Sequence, residues 1–212
     1  MARGKFITFE GGEGAGKSTQ IALLAEALTQ AGLGVYTTRE PGGSPGAEEI
    51  RKLLVTGAPD RWDPMTEALL HFAARRDHLR SVVQPRLEAG DWVLSDRFAD
   101  STLAYQGYGH GLGREVIARL CDLVVGDFAP DLTLILDVPV DVGLARAASR
   151  NDGEDRYERL GPDFHERLRS GFQEIARREP ARCTLIDASG PVDRVQVAIR
   201  AAVAQRLDVS LS

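Results

Sequence analysis

The chain has 212 residues, 43% of them hydrophobic and 27% charged, with a formal net charge of −5 at pH 7. That length and balance predict one globular domain able to bury its own core, and exclude a disordered, fibrous or disulfide-stapled chain. The acidic balance argues against nucleic acid as a partner, and neither a bilayer-spanning apolar run nor a secretory h-region is present in the sequence.

Residues 5–10 read as a short apolar strand, and residues 18–31 place Ile21, Leu24, Ala25 and Leu28 at helical spacing. Helix-like and strand-like segments then alternate. Strands are expected at 35–38, 92–95, 132–137 and 183–187, and helices at 47–55, 64–89, 114–125, 140–149, 162–178 and 192–207. The 64–89 helix should bend near Pro85, which lacks a backbone donor. The pattern predicts a three-layer α/β fold: a five-stranded parallel sheet with helices on both faces, in a single domain. Ligands of such folds sit beyond the carboxyl ends of the strands, so the residues following each strand are the candidates for function. Cys121 and Cys183 lack metal-ligand spacing, and free thiols in a reducing cytoplasm are expected.

After the first strand comes Gly11-Gly12-Glu13-Gly14-Ala15-Gly16-Lys17-Ser18-Thr19, which fits G-x-x-x-x-G-K-[ST] and leads into a helix. Glycines let the backbone turn its N–H groups inward onto phosphate oxygens, and the helix start adds its positive dipole end. Lys17 is placed to reach the outer phosphates of ATP and the Ser18 hydroxyl to hold Mg²⁺. Glu13 is unfavourable beside phosphates unless it meets the metal or a sugar hydroxyl, and a solvent-facing carboxylate is the competing reading.

Thr38-Arg39-Glu40-Pro41-Gly42-Gly43 follows the second strand and Ser95-Asp96-Arg97-Phe98 the third. Asp96 is placed to reach a metal, and Arg97 offers a planar fork for a phosphate; a structural ion pair is the bland alternative. Further on, Arg146, Arg150, Arg156 and Arg159 flank the polar stretch 151–155, the composition of a mobile lid at about 146–160. Arg159 reads more simply as a helix-surface residue. The guanine-reading Asn-Lys-x-Asp of a GTPase is absent from the sequence.

The run from Phe9 to Thr19, the Thr38–Gly43 turn, and Asp96-Arg97-Phe98 with Ser101-Thr102-Leu103-Ala104-Tyr105-Gln106-Gly107 together resemble the thymidylate kinase family. The likeness continues through Pro130–Thr133, Leu136-Asp137 and Asp155-Arg156-Tyr157-Glu158. It implies a P-loop kinase that uses ATP and Mg²⁺ to convert dTMP to dTDP, working as a homodimer. By motif, Arg97 would hold the acceptor phosphate with Arg39 nearby, Asp96 would lie near phosphates and metal, and Glu13 would meet the acceptor's sugar hydroxyl or its metal. Ser101 and Gln106 would line the acceptor pocket, and Tyr105 would leave no room for a ribose 2′-hydroxyl. The P-loop lacks a basic residue at its variable positions, so the resemblance implies a catalytic lid arginine, Arg150, with Arg146 over adenine. Tyr157 would border thymidine, and Asp187-Ala188 the adenine. The family's base-stacking Phe and base-reading Arg fall four residues apart on the long helix. Here that spacing gives His71 with Arg75, or Phe72 with Arg76 one residue on. Arg75 is the expected reader; His71 and Phe72 both remain as the stacker.

Overall fold

A computed structural model describes residues 3–148 and 156–211. Five strands form one parallel sheet: β1 (Phe6–Glu10), β2 (Val35–Arg39), β3 (Trp92–Asp96), β4 (Leu132–Asp137) and β5 (Cys183–Asp187), in the spatial order β2-β3-β1-β4-β5. The expected strands are all present; β2 and β3 each extend one residue further, to Arg39 and Asp96, which pair with each other in register. Extending those two strands brings both charged residues to the carboxyl rim.

Alternation along β1 explains the three layers. Ile7 and Phe9 face α1 (Lys17–Gln30) and α9 (Val192–Leu207), where Ile21, Leu24, Leu28, Val195, Ile199 and Val203 close one core. Phe6 points the other way, into a cluster with Leu79, Val83, Leu87 and Phe98. On that same face Ile135 of β4 meets Phe164, Leu168, Phe172 and Ile175 of α8 (Pro162–Arg178). Side chains of a strand alternate between faces, so helices must cover both.

α2 (Pro45–Val55) and α3 (Pro64–His78) follow β2, and both place proline in the first turn, where its missing donor costs nothing. Asp63 caps α3 by accepting from the N–H groups of Met65 (3.0 Å) and Thr66 (3.2 Å). The expected 64–89 helix divides. α3 passes into a wider, π-type turn at Leu79–Val83 and then α4 (Gln84–Glu88). In an uninterrupted α-helix the Pro85 ring would press on the Ser81 carbonyl; the widened turn, with the Gln84 N–H bonded to Leu79 O, accommodates it.

A helical segment that sequence periodicity missed follows β3: α5 (Ala99–Thr102) and a second π-type turn, Leu103–Gly109. Gly107 and Gly109 hide it, being poor helix formers. Its five-residue bonding, as from His110 N–H to Tyr105 O (2.8 Å), carries Tyr105 and Gln106. α6 (Arg114–Val124) and α7 (Val140–Ala148) complete the described helices, and the last residue of the expected 140–149 helix lies outside the described residues.

Candidate active site

The carboxyl ends of the strands open onto a cavity of about 840 Å³. Residues 13–20 of the P-loop and α1 form its floor. One wall comes from Arg39, Glu40, Pro41, Arg51, His71 and Arg75, another from Asp96, Arg97, Phe98, Ser101, Thr102, Tyr105 and Gln106, and the far end from Arg146, Ala188, Gly190, Pro191, Val192 and Val195.

The P-loop curls as its glycines allow. Gly14 has φ +65°, and a Cβ there would lie 1.9 Å from Gly143 O at the start of α7, so only glycine fits. Lys17 Nζ donates to Gly11 O (3.2 Å) and Gly12 O (3.0 Å). Burial, and then the Arg97 charge, push its pKa down to about 8. Ser18 Oγ donates to Asp96 Oδ2 at 3.0 Å, which puts two hard oxygen ligands side by side at the start of α1.

Arg97 sits in the left-handed region, φ +73°, at the turn out of β3. Nη1 donates to Gly11 O (2.9 Å) and Ser101 Oγ (3.2 Å), and Nη2 to Glu13 Oε1 (3.1 Å). Burial works against its charge, but Tyr105, Glu13, Asp96 and Glu10 outweigh it and raise its pKa. Glu13 Oε1 also accepts from Tyr105 OH at 2.6 Å, and the Arg97 guanidinium lies 4.9 Å from the Tyr105 ring centroid. The Glu13 carboxylate is therefore engaged inside the site.

The two candidates for the stacker separate cleanly. His71 lines the cavity, with Nε2 3.0 Å from Tyr157 OH; burial, then Arg75, push its pKa down to about 3, so the ring is neutral. Phe72 does not reach the acceptor side: it is 1% exposed and packs with Ala68 and Ile117. Ile117 and Ala68 complete a small core only when Phe72 turns inward, and a rotation of about 100° per residue then turns His71 outward. Arg75 stands on the cavity wall, while Arg76 reaches toward Val124 O. Arg75 Nη1 and Gln106 Oε1 are buried polar atoms without a hydrogen-bond partner among the described residues.

Tyr157 packs edge-on to Tyr105, 5.3 Å between centroids. Arg39 lies on the rim, paired with Glu48 (3.2 Å). At the far end Arg146 donates to Ala188 O (3.0 Å) and Ser189 O (3.2 Å), joining the expected adenine-side residues. Arg150 and the expected lid stretch 151–155 lie outside the described residues. Arg156, one of the arginines flanking the expected lid, is held fast: 2% exposed, it meets Glu67 Oε2 (2.6 Å) and donates to the carbonyls of Leu54, Ala58 and Pro59. Arg159 is exposed and donates to Gly57 O.

Sequence reasoning missed Glu10, Arg51, Glu67 and His78. Glu10 accepts from Phe98 N–H (2.8 Å) and Ser101 Oγ (2.5 Å), bracing the turn that carries Arg97. Burial, and then Asp100, push its pKa up to about 7. A signal for His78 existed: it lies three residues after Arg75, on the same helix face.

The thymidylate kinase family model matches residues 9–199. The chain belongs to the thymidylate kinase family. A thymidylate kinase of Caulobacter vibrioides is 59% identical over 207 residues, covering 98% of this chain and 99% of the relative. One of Magnetococcus marinus is 50% identical over 208 residues, covering 98% and 99%. The crystal structure of thymidylate kinase from Ehrlichia chaffeensis superposes with a TM-score of 0.77 at 36% identity, covering 95% of this chain and 99% of that one. The thymidylate kinase P-loop fold, a parallel five-stranded sheet between helices, is thus shared across chains that keep little more than a third of their residues in common.

Proposed function

We propose that this chain transfers the γ-phosphoryl group of ATP to dTMP, giving dTDP for dTTP synthesis. The observation that carries the reading is the cavity itself, which runs from the P-loop to a wall bearing one unpaired donor, Arg75 Nη1, and one unpaired acceptor, Gln106 Oε1. That pair complements the carbonyl and N–H edge of thymine; a buried polar atom left unpaired is costly, so a ligand that pairs it is selected.

An acceptor phosphate oxygen attacks the γ-phosphorus while the bond to the β–γ bridging oxygen breaks and ADP leaves. The acceptor is already anionic and needs no strong general base, so the protein's task is positioning and charge neutralisation. P-loop N–H groups from Gly11 to Thr19, with Lys17, hold the ATP phosphates, and Arg146 lies along the adenine. Arg97 and Arg39 take the dTMP phosphate, Glu13 the sugar side, and His71 the base. Tyr105, Ser101 and Tyr157 close the sugar pocket, with Tyr105 against C2′. Arg150 is the lid cation for the transferred group. Ser18 and Asp96 would hold Mg²⁺, which would neutralise phosphate charge when bound.

The exposed leucines on two packed helices, Leu69 of α3 (50% exposed) and Leu123 of α6 (82% exposed), support homodimerisation through that helix pair; sedimentation of the wild type against Leu123→Glu tests it. No described helix is long and apolar enough to cross a membrane. Two free cysteines fit a reducing cytoplasm. An ADP-release assay with ATP-Mg²⁺ against dTMP, dUMP, UMP, CMP, AMP and GMP tests the reaction: turnover with dTMP is expected, and preference for another monophosphate overturns the acceptor assignment.

A further inference from the structure

Arg75 uses most of its donors inside the protein. Nε donates to Glu40 Oε2 (2.8 Å), and Nη2 to Phe98 O (2.9 Å) and Thr102 Oγ1 (3.0 Å). Its guanidinium lies 4.9 Å from the Phe72 ring centroid and 5.3 Å from that of Phe98. Nη1 alone has no partner among the described residues.

Glu40 is in turn held from behind. Its other oxygen, Oε1, lies 2.9 Å from His78 Nδ1, and His78 Nε2 lies 2.7 Å from Thr38 Oγ1. Glu40 is 5% exposed and His78 is fully buried. A carboxylate only accepts, so Nδ1 of His78 carries a proton. The path passes close against the Gly43 backbone: Gly43 has φ +85°, and a Cβ there would lie 2.4 Å from Thr38 Oγ1 and 2.5 Å from His78 Nε2.

We propose that Thr38, His78 and Glu40 form a buried relay of positioning residues that aims the one free donor nitrogen of Arg75, Nη1, at the acceptor base. The proposal rests on the dTMP reading and deepens it. A guanidinium with three of its five N–H bonds engaged presents only the two hydrogens of Nη1, both on one nitrogen in one place, so the base must present an acceptor there. A 4-carbonyl satisfies it; the 4-amino group of cytosine opposes donor to donor. Without Glu40 the Arg75 charge loses its buried partner, its rotamer is no longer unique, and the discrimination weakens.

The test is steady-state kinetics of Glu40→Gln, His78→Phe and Gly43→Ala with ATP against dTMP and dCMP, alongside ¹⁵N NMR of His78 in the wild type. Glu40→Gln keeps the shape but puts an amide donor against Arg75 or His78. It is expected to raise KM for dTMP about tenfold or more, and to lower the preference for dTMP over dCMP by about tenfold, with KM for ATP within about twofold. His78→Phe and Gly43→Ala should move the same constants by about three- to tenfold. NMR should find His78 protonated at Nδ1. Should Glu40→Gln fail to fold, the other two variants and the NMR signal decide. Wild-type enzyme that takes dTMP while the variants lose only kcat, with KM and base preference unchanged, overturns the relay alone, as does a His78 protonated only at Nε2. Wild-type enzyme that ignores dTMP overturns the acceptor reading and the relay with it.

Discussion

Lys17 is held in a site built for phosphates, and without them its charge is a burden on the fold. Its pKa falls from 10.5 to about 8, first through burial and then through the Arg97 charge. At about 1.4 kcal/mol for each tenfold change in proton affinity, the ligand-free protein gives up about 3 kcal/mol to keep this lysine charged at pH 7. The sign follows from linkage. Between pH 8 and 10.5 the unfolded chain binds the proton more tightly than the folded one, so stability rises with pH there; below pH 8 the full cost is present. Lys17→Met removes that cost, together with hydrogen bonds to Gly11 O and Gly12 O that contribute about 1 kcal/mol each. The bonds offset much of the gain at pH 7, but the pH dependence of the lysine's own ionisation survives the offset. The stability difference, variant minus wild type, should shrink by about 1 kcal/mol from pH 7 to pH 9, or about 2–4 °C for a chain of this size. Turnover should meanwhile fall by about 100- to 1,000-fold. Thermal melts of the two ligand-free proteins across that pH range measure the difference. A gap that stays constant from pH 7 to 9, or widens, refutes the claim that the buried lysine charge is a cost awaiting its ligand.

Arg97→Lys keeps a charge but loses the fork that meets Gly11 O, Ser101 and Glu13, so kcat/KM for dTMP should fall about 10- to 100-fold while ATP affinity holds, measured by steady-state kinetics. Tyr105→Ala should admit a ribonucleotide acceptor that the wild type rejects, whereas Tyr105→Phe, which loses only the bond to Glu13, should keep the rejection; competing dTMP against its ribose analogue checks this. Arg156→Met leaves Glu67 buried without its cation, and urea melts should show a loss of about 3–5 kcal/mol. A loss under about 1 kcal/mol would show that the Arg156 clamp is loose.

Much of the site was legible because its chemistry is local. The P-loop needs glycines, a lysine, a hydroxyl and a helix start in consecutive residues, and all of these are written in one stretch. The turn after β3 was readable for the same reason: Asp96 and Arg97 lie at a strand's carboxyl end, where an α/β sheet delivers its ligand contacts. The central strands β1, β3 and β4 were readable as buried runs, since both faces of the sheet are covered there, whereas the edge strands β2 and β5 keep partly exposed and polar positions.

What the sequence left open were matters of rotation and of partners distant along the chain. His71 and Phe72 are neighbours on one helix, and only the packing of Ala68 and Ile117 around Phe72 decided which of them faces the cavity. Arg156 reads as a mobile lid arginine until Glu67 and the carbonyls of Leu54, Ala58 and Pro59 are seen around it. Glu40 reads as part of a turn until Arg75 and His78 arrive from another helix. The sequence by itself determined the fold class and the phosphate cradle, because both rest on periodicity and on neighbouring residues. The tertiary structure decided which buried charges pair and which face of a helix meets the ligand, because those depend on contacts between segments whose separation no local pattern encodes.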